Sequence, residues 1–177
     1  MGTVVAIETS GGAAIAGDKL ATRGGTVTSG SADRVIDLDE AGAGAIGDQG
    51  DIDEFRRRLE AELRRDRMER DREVDVDRLA RVAAEIAEDV GVDAVVAARD
   101  DEGVARIRQV DVDGGILEGP VVALGSGARI AMGRLEAADR ERALRSTEEF
   151  VRDVVETVAG RDTDTGEDVD LWSLPSE

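Results

Sequence analysis

Cysteine and histidine are absent from this 177-residue chain, and lysine occurs once, as Lys19. Without thiols or imidazoles there can be no disulfide staple, no thiol nucleophile, no histidine base and none of the usual zinc ligand sets. Any chemistry must come from hydroxyls, carboxylates, amines or guanidinium groups. Aromatic residues make up only 2% of the chain, and 41 acidic residues face 23 basic ones, a net charge of −18 that argues against nucleic acid as a partner. No apolar run is long enough to cross a bilayer, and the opening Met1 to Ile7 lacks the basic segment of a secretory signal, so the expectation is a soluble, cytoplasmic protein without membrane contact.

What is abundant is carboxylate. With one lysine among 23 basic residues, almost every cation is a planar, weakly hydrated guanidinium. Self-repulsion at this charge loosens a compact state unless salt screens it, and molar salt shortens the screening length to roughly 3 Å. A salt-rich source is the simplest explanation, because a merely acidic protein has no reason to avoid lysine.

The length suits one domain spanning residues 1–177, with 160–177 a polar terminal loop and a possible edge strand. Val4–Ile7 and Ala13–Ala16 flank a Ser10-Gly11-Gly12 turn and predict a hairpin; Thr26–Thr28 and Arg34–Leu38, separated by Ser29-Gly30-Ser31, suggest a second. Ala41–Ile46 fits a buried strand. From Asp51 the period changes: Ile52, Phe55, Leu59 and Leu63 mark an amphipathic helix whose charged continuation, Arg64–Arg72, is expected to project into solvent or against a neighbouring chain. A second helix carries Leu79, Val82, Ala83, Ile86 and Val90 on one stripe and stops at Gly91. Ala94–Ala98 and Ala105–Val112 form a hairpin through Asp100–Gly103, and Val121–Leu124 is a further strand. A third helix covers Arg129–Asp139, and a fourth starts at Ser146, with Glu149 completing a capping box. Segregated blocks of strands and helices predict an α+β layered fold.

The segment Thr3–Arg34, TVVAIETSGGAAIAGDKLATRGGTVTSGSADR, resembles the opening of proteasome β subunits and, still more closely, the bacterial two-ring ATP-dependent peptidase. Ala16-Gly17-Asp18, Ala21-Thr22, Gly50-Asp51, the helix ending in Ala61-Glu62-Leu63, and Gly125-Ser126-Gly127 follow in the family's order. The resemblance implies a four-layer αββα sandwich of the N-terminal-nucleophile hydrolase type, assembled into rings, with a threonine at the mature amino terminus as nucleophile and its own amine as base. No cofactor or metal is implied. Carried over residue by residue, the site acid is Asp18, the loop serine Ser126, the terminal-loop aspartate Asp162, and Thr165 replaces the last serine of the supporting cluster. Two positions depart: Gly2 stands where the nucleophile belongs and Arg34 where the lysine belongs. Glycine has no hydroxyl, and arginine stays charged and cannot relay a proton near neutral pH.

Each site residue also has a plain reading. Asp18 could be a turn former, and Ser126 a loop residue or helix cap. Asp162, Asp164 and Asp168 suggest a hard-cation site, but carboxylate clusters are expected by chance in so acidic a chain. Arg56-Arg57-Arg58 is interleaved with acids and reads as a solvated or subunit-facing surface. The expectation is a ring-forming homo-oligomer, structural or ligand-binding, without ordinary threonine-peptidase activity. The alternative is an active peptidase that exposes Thr3 by loss of Met1 and Gly2 and degrades unfolded polypeptides, with other proteasome-type subunits or an ATPase as partner.

Overall fold

The computed structural model describes residues 1–177. As expected, the chain opens with an antiparallel hairpin, β1 (Thr3–Thr9) and β2 (Gly12–Asp18), almost wholly buried on both faces. The next pairing departs from the expectation. Thr26–Thr28 does not pair with Arg34–Leu38; β4 (Thr26–Ser29) returns onto β3 (Ala21–Arg23), and β5 (Val35–Asp37) pairs with β6 (Ala41–Ile46). The reason is the Gly24-Gly25 turn, where both residues take positive φ, 57° and 79°, as the favoured two-residue hairpin loops require.

The helix α1 runs Gln49–Arg70 and buries Ile52, Phe55, Leu59 and Leu63. Its charged end is not simply solvated: Asp66 is buried, held by Arg70 at 3.0 Å and by Arg78 of the next helix at 2.9 Å. That helix, α2 (Val76–Val90), starts where the Asp75 side chain accepts from Arg78 N and ends at Gly91 in the left-handed region. The expected hairpin of β7 (Asp93–Arg99) and β8 (Ala105–Val110) follows, with an unforeseen exposed edge strand β9 (Ile116–Glu118). Next, β10 (Val121–Gly125) pairs with β1, and α3 spans Ala128–Glu136.

The last helix, α4 (Leu144–Ala159), begins two residues ahead of Ser146, with Ala143 at its N-cap, so the predicted capping box does not form. Tertiary anchoring sets the start: Ser10 N and Gly11 N bond the carbonyls of Arg140 and Arg142, fixing the incoming chain against the β1–β2 turn. The terminal strand β11 (Val169–Pro175) lies along β2 at the sheet edge.

All strand pairs are antiparallel, in sheets ordered β10-β1-β2-β11 and β5-β6-β7-β8-β9, with β3-β4 a separate ribbon. Three apolar clusters divide the molecule into layers. One joins α1 and α2 to the five-stranded sheet, one lies between the sheets, and one joins the four-stranded sheet to α3 and α4. The result is the α+β sandwich of four layers. Small residues let the sheets approach: a Cβ at Gly44 would lie 2.6 Å from Val4 Cγ1, and one at Gly42 would overlap the Trp172 ring. The glycine- and alanine-rich composition of β6 is thus a packing requirement, since an added methyl here has no space to occupy. No helix is long and apolar enough to cross a membrane.

Candidate functional site

The start of β1, the end of β2, the end of β10 and the loop 160–168 meet at one point. Asp18, 1% exposed, is saturated with donors there. Its Oδ1 accepts from Thr3 N at 2.8 Å and Arg34 Nη1 at 3.3 Å, and its Oδ2 from Gly166 N at 2.8 Å and Leu20 N at 3.1 Å. Arg34, 4% exposed, also donates to the carbonyls of Asp18 (2.8 Å) and Leu20 (2.6 Å), while its Nε–H has no partner. Burial pushes its pKa below the usual arginine range, and the charge of Asp18 offsets this only in part.

Residue 2 lies against that pair. A Cβ on Gly2 would overlap Arg34 Cζ and fall 2.5 Å from Asp18 Oδ1 and 2.6 Å from Arg34 Nε. The guanidinium occupies the space a side chain would need. The backbone of Gly2 is fixed too, its carbonyl accepting from Ser126 N at 3.0 Å.

Strand alternation separates Thr3 from this pair. Along β1, Val4 belongs to the cluster between the sheets and Val5 to the one beneath α3 and α4. The Thr3 side chain lies on the Val5 side, as a period of two demands. Its Oγ1, fully buried, accepts from Gly127 N at 3.1 Å and shares a 2.7 Å hydrogen bond with Thr165 Oγ1. Thr165 Oγ1 donates to Asp162 Oδ2 at 2.6 Å, so Thr3 is the donor in the bond between the two threonines. Ser126 Oγ donates to the same Asp162 oxygen at 2.5 Å. For Asp162, partial burial raises the pKa, but the bonds from Ser126, Thr165 and Asp164 N and the nearby chain-terminal amine outweigh it and hold the carboxyl below its ordinary value.

All six candidate residues therefore converge, but in two groups. Asp18 and Arg34 face residue 2; Ser126, Asp162, Thr165 and Thr3 form a hydroxyl–carboxylate chain behind it. The structural part of Thr3 in that chain was not foreseen, although the alternation of β1 contains the signal. The aspartates of the terminal loop have separate engagements: Asp164 Oδ1 accepts from Thr22 Oγ1 at 3.0 Å, and the Asp168 carbonyl accepts from Lys19 N at 3.1 Å. In front of the site, Arg34, the segment 47–51 and the β3–β4 ribbon border an open cleft of about 750 Å³.

The family model described as "Proteasome subunit" matches residues 1–174. The chain belongs to the proteasome subunit family. It is 29% identical to "Proteasome subunit beta 1" of Desulfurococcus amylolyticus over 96% of this chain and 87% of that protein. It is likewise 29% identical to "Proteasome subunit beta 2" of the haloarchaeon Haloarcula marismortui, over 99% and 78% of the two chains. Against "Proteasome subunit beta 1" of Staphylothermus marinus the identity is 30%, over 99% and 85%. Identity at this level spans the whole proteasome-type sandwich rather than one motif.

Proposed function

We propose that this proteasome-family chain is a non-acylating β-type subunit, a single domain that assembles with copies of itself into a ring in a salt-rich cytoplasm. The supporting observation is the contact between Gly2 and Arg34: the position of the attacking hydroxyl holds hydrogen, and a guanidinium fills the space in front of it. The acylation that the family resemblance implies needs a hydroxyl on the first residue within reach of a base. Here the alcohol is missing, and the lysine position is an arginine locked onto Asp18.

The retained chain of Thr3, Thr165, Asp162 and Ser126 favours a second reading, in which Thr3 becomes the terminal nucleophile. That reading requires β1 to slide by one residue, which moves every side chain of a doubly buried strand to the opposite face. Val4 and Val5 would exchange layers, which disfavours the slip.

Peptide hydrolysis in molar potassium chloride separates the two readings. No turnover is expected above the uncatalysed rate, in wild type or in Thr3→Ala; turnover abolished by Thr3→Ala would establish the peptidase. Light scattering in the same salt tests assembly, with a particle several times the 18.7 kDa chain expected and a monomer counting against the ring. Dialysis into dilute buffer should loosen the fold, because at net charge −18 the screening is lost.

A further inference from the structure

The edge strand β9 is open for pairing. It ends the five-stranded sheet, with Arg108, Gln109 and Val110 of β8 opposite Glu118, Leu117 and Ile116. Asp111 N donates to Gly115 O at 3.0 Å, and bonded and non-bonded pairs alternate along an antiparallel ladder. Leu117 is therefore the residue that bonds Gln109, and the N–H and C=O groups of Ile116 and Glu118 point off the sheet.

The strand carries none of the usual guards of an edge. No lysine, proline or bulge interrupts Ile116–Glu118. Of the six exposed large apolar side chains in the molecule, three, Val112, Ile116 and Leu117, lie on this one hairpin. In a chain of net charge −18, so local a concentration of exposed apolar surface beside free backbone donors and acceptors marks a contact.

We propose that β9 pairs antiparallel with β9 of a second copy, about a twofold axis through Leu117. The edge fits itself in this one register. Only outward-pointing residues can bond, which limits the symmetric pairings centred within the strand to those on Ile116, Leu117 and Glu118. Centred on Glu118, two carboxylates face each other and Ile116 meets Pro120, which has no N–H. Centred on Ile116, Glu118 meets Gly114, whose φ of 79° belongs to the turn. Centred on Leu117, Ile116 of each copy exchanges bonds with Glu118 of the other, and all four outward groups of each chain are used. Glu118 then faces an apolar side chain and keeps Arg108 of its own chain at 3.6 Å. The two Leu117 residues form a non-bonded pair with Cα atoms about 4.5 Å apart. Three residues a side make a weak contact, and an isologous one, which joins two copies but closes no ring. It goes beyond the proposed assembly and does not depend on it.

The chain lacks cysteine, so a single introduced thiol reports the contact, and oxidation traps even a transient pair. Leu117→Cys is oxidised with copper phenanthroline in molar potassium chloride beside Val27→Cys, whose position on the β3–β4 ribbon is 60% exposed against 56% for Leu117. A covalent dimer of Leu117→Cys is expected, formed at least about tenfold faster than that of Val27→Cys, because pairing raises the effective concentration of the two thiols. Adding Glu118→Pro removes an N–H that points off the sheet and leaves the bonds to β8 in place. It should bring the rate down to that of Val27→Cys with the circular dichroism unchanged. Equal rates for the two single variants, the outcome if the edge takes a foreign strand or none, would overturn the pairing. So would fast dimerisation that survives Glu118→Pro. Light scattering reports the ring separately, so either reading can fail alone.

Discussion

The two groups of the site are held together in different ways. Behind residue 2, Ser126, Asp162, Thr165 and Thr3 form an unbroken hydrogen-bonded chain; in front of it, residue 2 is a glycine and the Arg34 guanidinium is locked onto Asp18 and two carbonyls. The difference shows which features the fold itself requires. Asp18 and the hydroxyl chain tie together the ends of β1, β2 and β10 and the loop 160–168, and would be needed in a protein that performs no chemistry. A hydroxyl at residue 2 ties nothing together.

The sharpest way to break this comparison is to remove its shared acid. Asp18→Ala strands the buried Arg34 guanidinium and frees three backbone N–H groups, and should cost about 3–5 kcal/mol in denaturant unfolding at high salt. A loss below about 1 kcal/mol would show that Asp18 is not structural.

Gly2→Ala comes next. Its methyl meets Arg34, so overpacking should cost roughly 1–3 kcal/mol, and less in an Arg34→Lys background, where the guanidinium fork is absent. Additive effects would mean that the two residues do not share space. On the other face, Thr3→Val keeps the shape but leaves Gly127 N without an acceptor and Thr165 Oγ1 without its donor, for about 1–3 kcal/mol.

The smallest effect is on pH dependence. Asp162 has its folded pKa below the ordinary 3.8, so its contribution is fully present above that value and is lost as pH falls through the folded pKa. Asp162→Asn should therefore be less stable than wild type near neutrality and should lose less on acidification. Parallel acid-unfolding curves would contradict the assignment.

Much of the fold was legible because periodicity is local. The stripe Ile52, Phe55, Leu59, Leu63 and the stop at Gly91 need only neighbouring residues to be read. The misplaced elements depend on distant contacts or on a rule with two solutions. The start of α4 is set by carbonyls bonded to Ser10 and Gly11, while Ser146 and Glu149 mimic a cap inside the helix. Gly24-Gly25 was itself a turn signal, yet the more polar Ser29-Gly30-Ser31 competed with it. For the site, the residue types were readable from the sequence, but the seating of the guanidinium on Gly2 arises between segments 32 positions apart and has no local trace.

Whether any alcohol of this chain can acylate is decided most directly by intact-protein mass after exposure to an epoxyketone or β-lactone in molar salt. The account predicts an unchanged mass. A stoichiometric adduct that maps to Thr3 would contradict it.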